Sequence, residues 1–193
     1  MKPNHQTLFV LPLIALATVT RLVPHPVNFT PLLAVALFAG RHISGRLSGL
    51  GLVAVSMLVI DLPYVVSQVL PQADMKLLSS IILVNLSVYG TVLGLTLAAQ
   101  KTKSYRGFRT TLFGSLVASM AFFLITNFAS WLAYYPTSWT ALVSCFTSAI
   151  PYFKNTWIST LLYSGVLFGC LSLFNRLFTA RLSKQLEGTH SAV

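Results

Sequence analysis

LSGLGLVAVSMLVIDLPYVVS, residues 47–67, runs for 21 residues with one charge, Asp61. A helix rises about 1.5 Å per residue, so a run of this length covers the roughly 30 Å hydrocarbon core of a bilayer. Its apolar residues fall on every face and leave no polar stripe for water, so the stretch reads as a membrane-spanning helix. The rest of the chain has the same character. Of 193 residues, 55% are hydrophobic and 8% charged, whereas a soluble globular domain carries about 25% charged residues. No polar segment is long enough to fold separately, so the chain reads as a single membrane domain, 1–193.

Apolar length with Gly, Pro and charge punctuation predicts an all-α bundle of six transmembrane helices at about 7–23, 30–40, 47–67, 77–99, 110–134 and 156–178. The second is short and could tilt, extend through residues 41–43 or cross only in part. A further apolar piece, 139–152, is too short to span and contains Pro151, which suggests a separate re-entrant or interfacial segment. The first run is a helix rather than a cleaved leader, because further spans follow it.

The formal charge of +10 would suggest nucleic acid in a soluble protein, but here the basic residues cluster between apolar runs. If six helices cross alternately, Lys2, Arg41, Arg46, Lys101, Lys103, Arg106, Arg109, Arg176, Arg181 and Lys184 share one side, leaving Arg21, Lys76 and Lys154 on the other. That bias puts both termini in the cytoplasm and the protein in a bacterial inner membrane, with lipid rather than nucleic acid as its surroundings.

With directions assigned, the polar and aromatic groups within the spans fall mostly in the outer halves. They are Asp61 and Tyr64 on the third helix, Asn85 and Tyr89 on the fourth, Asn127, Trp131, Tyr134 and Tyr135 on the fifth, and Asn155, Trp157 and Tyr163 on the sixth. The asymmetry predicts a polar, aromatic-lined cavity open to the outside. Asp61 is the only acid within a predicted span, and a carboxylate at that depth requires a partner. Arg21 is the first candidate, because its fork can grip a carboxylate with two hydrogen bonds. The aromatic residues also suit an interfacial belt, whereas the buried amides Asn85 and Asn127 need hydrogen-bond partners across helices or on a ligand.

Gly90 with Gly94 and Gly165 with Gly169 are spaced one helical turn apart, which predicts close backbone packing within the bundle; Ala36 and Gly40 repeat the spacing where a partner subunit could dock. Enzymatic signatures are missing: there is no GxSxG turn, HExxH helix or P-loop, and with Asp61, Asp74 and Glu187 the only acids, a two-carboxylate mechanism has no residues to use. The two cysteines, Cys145 and Cys170, have no metal-site spacing and read as packing residues.

The strings RLVPHPVNFTP (21–31), ITNFASWL (125–132), AIPYFKNT (149–156) and YSGVLFG (163–169) resemble the substrate-binding S components of energy-coupling-factor vitamin transporters, most closely the BtuM-type cobalamin proteins. The resemblance implies an S-component fold with a vitamin site facing outward and a surface for an energy-coupling membrane module. Arg21, Pro24, His25, Pro26, Asn28, Phe29 and Pro31 match its first motif, and Asn127, Trp131, Asn155 and Thr156 the later ones. It departs at Ser159 and Thr160, where a Gly-Asp pair is expected, and offers Ser79 and Ser80 where a cobalt-binding thiol or imidazole is expected; Cys145 or His25 could substitute.

The reading that follows is a non-enzymatic uptake protein capturing a vitamin-type small molecule, cobalamin first, and needing no cofactor. Asp61, Tyr64, Asn85, Tyr89, Asn127, Trp131, Asn155, Trp157 and Tyr163 would form the binding site, with Asp61 holding a cationic or donor group; Arg21, His25 and Asn28 would form a gate in the first external loop. Two other classes remain open: a structural subunit of a larger membrane complex, and a membrane enzyme working through Cys145.

Overall fold

The computed structural model of the protein describes residues 5–43, 45–72, 74–102 and 108–190. Lys2, Lys103 and Arg106 of the basic set lie outside them. The described residues form six α-helices and no strand: α1 His5–Val19, α2 Leu32–His42, α3 Arg46–Tyr64, α4 Met75–Lys101, α5 Phe108–Tyr134 and α6 Trp139–His190. Four of these, α3 with the turn that follows it, α4, α5 and α6, are long and apolar enough to cross a membrane. The protein is an all-α membrane protein.

Contacts between distant residues fix two ends of the bundle. At one, Asn155 of α6 reaches the carbonyl of Val27 between α1 and α2, and Ser80 of α4 reaches that of Ala133 at the end of α5. At the other, the Arg41 side chain at the end of α2 lies over the Phe168 ring of α6 and donates to Thr102 just after α4. The first of these is the loop end of the bundle.

The shortest helix is the most buried. In α2 every residue from Leu32 to Gly40 is buried, although 11 residues cover only about 16 Å, half a bilayer core. A helix apolar on all faces is stable only when neighbours cover all of it, and α2 touches α1, α3, α4, α5 and α6. The core accordingly gathers Val35, Phe38 and Ala39 of α2 with Ile14, Met57, Val92 and Leu167 of its neighbours. The helix does extend through Arg41 and His42, one of the alternatives its sequence left open.

The glycines divide differently from their expected roles. A Cβ at Gly40 would collide with the Thr96 carbonyl oxygen and lie 2.8 Å from the Ala99 Cβ, so Gly40 is where α2 and α4 approach closely within one chain. It is buried and has no face left for a partner subunit. At Gly90, Gly94, Gly165 and Gly169 a Cβ would meet nothing within 4 Å. The expectation that these four bring backbones together inside the bundle is corrected: spacing alone does not say which face a glycine pair occupies, and here both pairs face outward from the fold.

Segment 139–152 is also not a separate re-entrant piece. It is the first part of α6, which continues through Pro151 to His190. Proline removes one helical hydrogen bond, and membrane helices tolerate this when neighbours hold the flanking turns. Here Phe123 of α5 meets Phe146 and Phe153, one on each side of Pro151, at centroid distances of 5.6 and 5.0 Å. Pro63 has a different outcome. It lies in the last turn of α3, followed by a π-helical turn over Val65–Val69 and a 3-10 turn over Leu70–Gln72. The widened turn brings Val65 and Val69 onto one wall with Asp61 and Tyr64, where the candidate site lies.

Candidate functional site

A cavity of about 570 Å3 lies at the loop end, bounded by the 21–33 segment and by α3, α4, α5 and α6. Val65, Val69, Leu77, Ile81, Val84, Val88 and Phe122 are among its apolar lining residues, with Leu32 and Leu33 of α2. Its polar groups are Arg21, Asn28, Thr30, Asp61, Asn85, Thr156 and Thr160, with the phenols of Tyr64 and Tyr134.

An ion pair dominates the polar wall. Arg21 Nη2 donates to Asp61 Oδ1 at 2.7 Å, as the depth of Asp61 required, with the two side chains 15% and 25% exposed. The Tyr89 hydroxyl donates to Asp61 Oδ2 at 3.2 Å. Both carboxylate oxygens therefore have a partner, and Asp61 is less available to a cationic ligand than its sequence position suggests. The guanidinium has capacity left: Arg21 Nη1 is buried and has no hydrogen-bond partner. A buried donor without an acceptor costs about 1–3 kcal/mol.

The loop carrying Arg21 is shaped locally and tied down remotely. Asn28 has φ of 62°, a left-handed conformation that asparagine tolerates better than most residues, and the turn closes with Phe29 N–H donating to the Pro26 carbonyl at 2.9 Å. Asn155 Nδ2 donates to the Val27 carbonyl at 3.0 Å, fastening the turn to α6. The prolines at 24, 26 and 31 remove backbone freedom between those points.

The remaining expected site residues separate. Arg21, Asn28, Asp61, Tyr64 and Asn85 line the cavity, and Tyr89 joins them through Asp61. Asn85 also donates to the Ile81 carbonyl of its own helix. Asn127, Trp131, Asn155, Trp157, Tyr163 and His25 do not border the cavity. Asn127 donates to the Phe123 carbonyl in α5, Trp131 Nε1 to the Pro136 carbonyl at the α5–α6 turn, and Asn155 holds the loop. Tyr163 lies against Phe29 with centroids 6.3 Å apart, and Trp157 Nε1 is buried without a partner. His25 is exposed, its Nδ1 3.0 Å from the Pro26 carbonyl oxygen.

Cys145 is buried, and its thiol lies 3.5 Å from the Asn127 carbonyl. Neither Cys145 nor His25 reaches the cavity, and among the described residues no cluster of three His, Cys, Asp or Glu side chains could hold a metal ion. Thr30, Thr156 and Thr160 were not among the expected site residues. The signal for the last two was in the sequence, since Thr156, Thr160 and Ser164 recur every four residues on one face of α6. All three are buried.

A family profile, DUF6580, a family of unknown function, matches residues 1–183. The chain belongs to DUF6580. No curated protein and no solved structure matches it. The site of this DUF6580 chain is a half-open, largely apolar space with one ion pair and a few polar groups, inside a helical membrane domain.

Proposed function

We propose that this protein captures a small molecule of vitamin type in the loop-end cavity and serves its uptake across the membrane, without chemical turnover. The observation that carries the reading is the cavity itself. Its volume of about 570 Å3 falls within the roughly 300–1,000 Å3 of small-molecule sites, and it has the apolar lining and few placed polar groups usual for them.

The excess of basic residues on the opposite side supports an orientation with the loop end outside and both termini in the cytoplasm of a bacterial inner membrane. In that orientation the Arg21 loop stands at the mouth, braced by Asn155. The motif resemblance to S components adds an energy-coupling membrane module as the partner that would drive release inward. Cobalamin, the ligand to which the resemblance points, would fill the cavity and protrude from it, with neither Cys145 nor His25 lining the space around it.

The test is a thermal-shift screen of detergent-purified protein against cobalamins, other B vitamins and their precursors. A ligand at 100 times its Kd stabilises the fold by about 2.7 kcal/mol. Val84→Trp, which fills the cavity from α4, should abolish the shift. If no compound stabilises folded protein, the capture reading fails and a structural subunit takes its place.

A further inference from the structure

Resting on the capture reading, we propose that the ligand is uncharged where it enters the loop-end cavity: a largely apolar body with one hydrogen-bonding edge, which meets Asn85. The charges around the cavity cancel before any ligand arrives. Among the described residues that line it, Arg21 and Asp61 are the only formally charged ones, and they pair at 2.7 Å. The second carboxylate oxygen accepts from the Tyr89 hydroxyl, and the other terminal nitrogen of the guanidinium, Nη1, is buried and does not face the cavity. Asp74, Lys76 and Lys154 do not line the space, and the Asp74 carboxylate accepts from the Leu77 N–H at the start of α4.

A closed pair presents a dipole and no net charge. An ion of either sign entering this space would give up water with no opposite charge left to receive it, and burying an unpaired charge is among the costliest steps in protein energetics. An uncharged body carries no such cost and gains by covering Ile81, Val84, Val88 and Phe122 on α4 and α5. The neutral polar groups differ in what they have left to offer. Thr156 and Thr160 donate their hydroxyls to the Tyr152 and Thr156 carbonyls of α6. Asn85 donates one N–H to the Ile81 carbonyl and retains its second N–H and its amide oxygen. A donor and an acceptor on one side chain match an amide, a lactam or a similar neutral edge.

The experiment measures binding to the full-length protein in nanodiscs by microscale thermophoresis. It uses three probes on one aromatic body: naphthylacetamide, naphthylacetate and naphthylethylammonium. Val84→Trp protein, with the cavity filled, supplies the background from partition into lipid. The amide should bind at least about tenfold tighter than either ion, because burial of an unpaired charge opposes binding. Asn85→Leu should weaken the amide about fivefold, the loss of one neutral hydrogen bond. Asp61→Asn leaves the guanidinium without its counter-charge and should move the order of affinities toward the acetate. Arg21→Gln leaves the carboxylate alone and should move it toward the ammonium. Should either charge variant fail to fold, the other still tests the pair, and the wild-type comparison needs neither.

An ion that binds wild-type protein as tightly as the amide would overturn the uncharged assignment while leaving capture intact. The wild-type order of affinities persisting in both charge variants would overturn it too, because the pairing of Arg21 with Asp61 would then not be what excludes ions. Unchanged amide binding in Asn85→Leu would overturn the assignment of the polar edge. If naphthylacetamide does not bind above the Val84→Trp background, the assignment fails as a whole, and the vitamin screen decides the capture reading separately.

Discussion

Gly40 provides the sharpest test of how the bundle is held together. Gly40→Ala adds one methyl group where α2 crosses α4. That methyl would overlap the Thr96 carbonyl oxygen and sit 2.8 Å from the Ala99 Cβ. One obstacle is backbone and the other a short side chain fixed to a helix, so neither can swing aside. Overpacking costs about 1–3 kcal/mol, and the rigidity of both neighbours puts this site at the upper end. Alanine gains up to about 1 kcal/mol of helix propensity over glycine, which leaves a net loss of about 2 kcal/mol.

In a chain of this length each kcal/mol moves the unfolding midpoint by about 2–4 °C, so Tm should fall by about 4–8 °C. Gly94→Ala and Gly165→Ala are the controls, because a Cβ at either meets nothing within 4 Å. Each should be neutral or raise Tm by a few degrees, from the same propensity gain. The assay is thermal unfolding in detergent followed by intrinsic fluorescence or loss of monodispersity. A Gly40→Ala protein as stable as wild type would refute the close-approach argument. A loss at Gly94 or Gly165 equal to that at Gly40 would refute the account of those faces as open in the folded chain.

Two further outcomes are expected. Asn155→Ala removes the donor to the Val27 carbonyl and should cost about 1 kcal/mol; hydrogen exchange of the 21–31 loop should quicken while α2 stays protected, and unchanged exchange would mean the prolines alone hold the loop. Ser119→Ala deletes a buried hydroxyl that has no partner, so it should leave stability unchanged or raise it by up to about 1 kcal/mol. A clear loss in Tm would reveal a hydrogen bond at that hydroxyl.

The sequence by itself determined the solvent of this protein and its class. Runs such as 47–67 can satisfy their backbone polar groups only as helices once lipid replaces water, and 13 basic residues set between such runs mark the connections. It also determined that Asp61 needed a cation, and Arg21 was legible as that cation because few basic residues lie at a comparable depth. Burial cost is a property of residue type and depth, which a hydropathy reading can estimate.

Tertiary structure alone decided the rest. Helix rotation is set by neighbours, so Asn85 lines the cavity whereas Asn127 does not, although each donates to a carbonyl one turn back in its own helix. The same freedom turned the Gly90 and Gly165 pairs outward and put Gly40 at the closest crossing. Pro151 looked like a boundary because proline breaks helices in water, yet Phe123 braces the turns on both sides of it and α6 runs on. The π-helical turn after Pro63 has no signature in residue spacing, and the cavity wall it completes exists only because α4 and α6 stand opposite. Spacing along a chain fixes which residues share a helix face; the partners of that face are chosen by packing across the whole bundle.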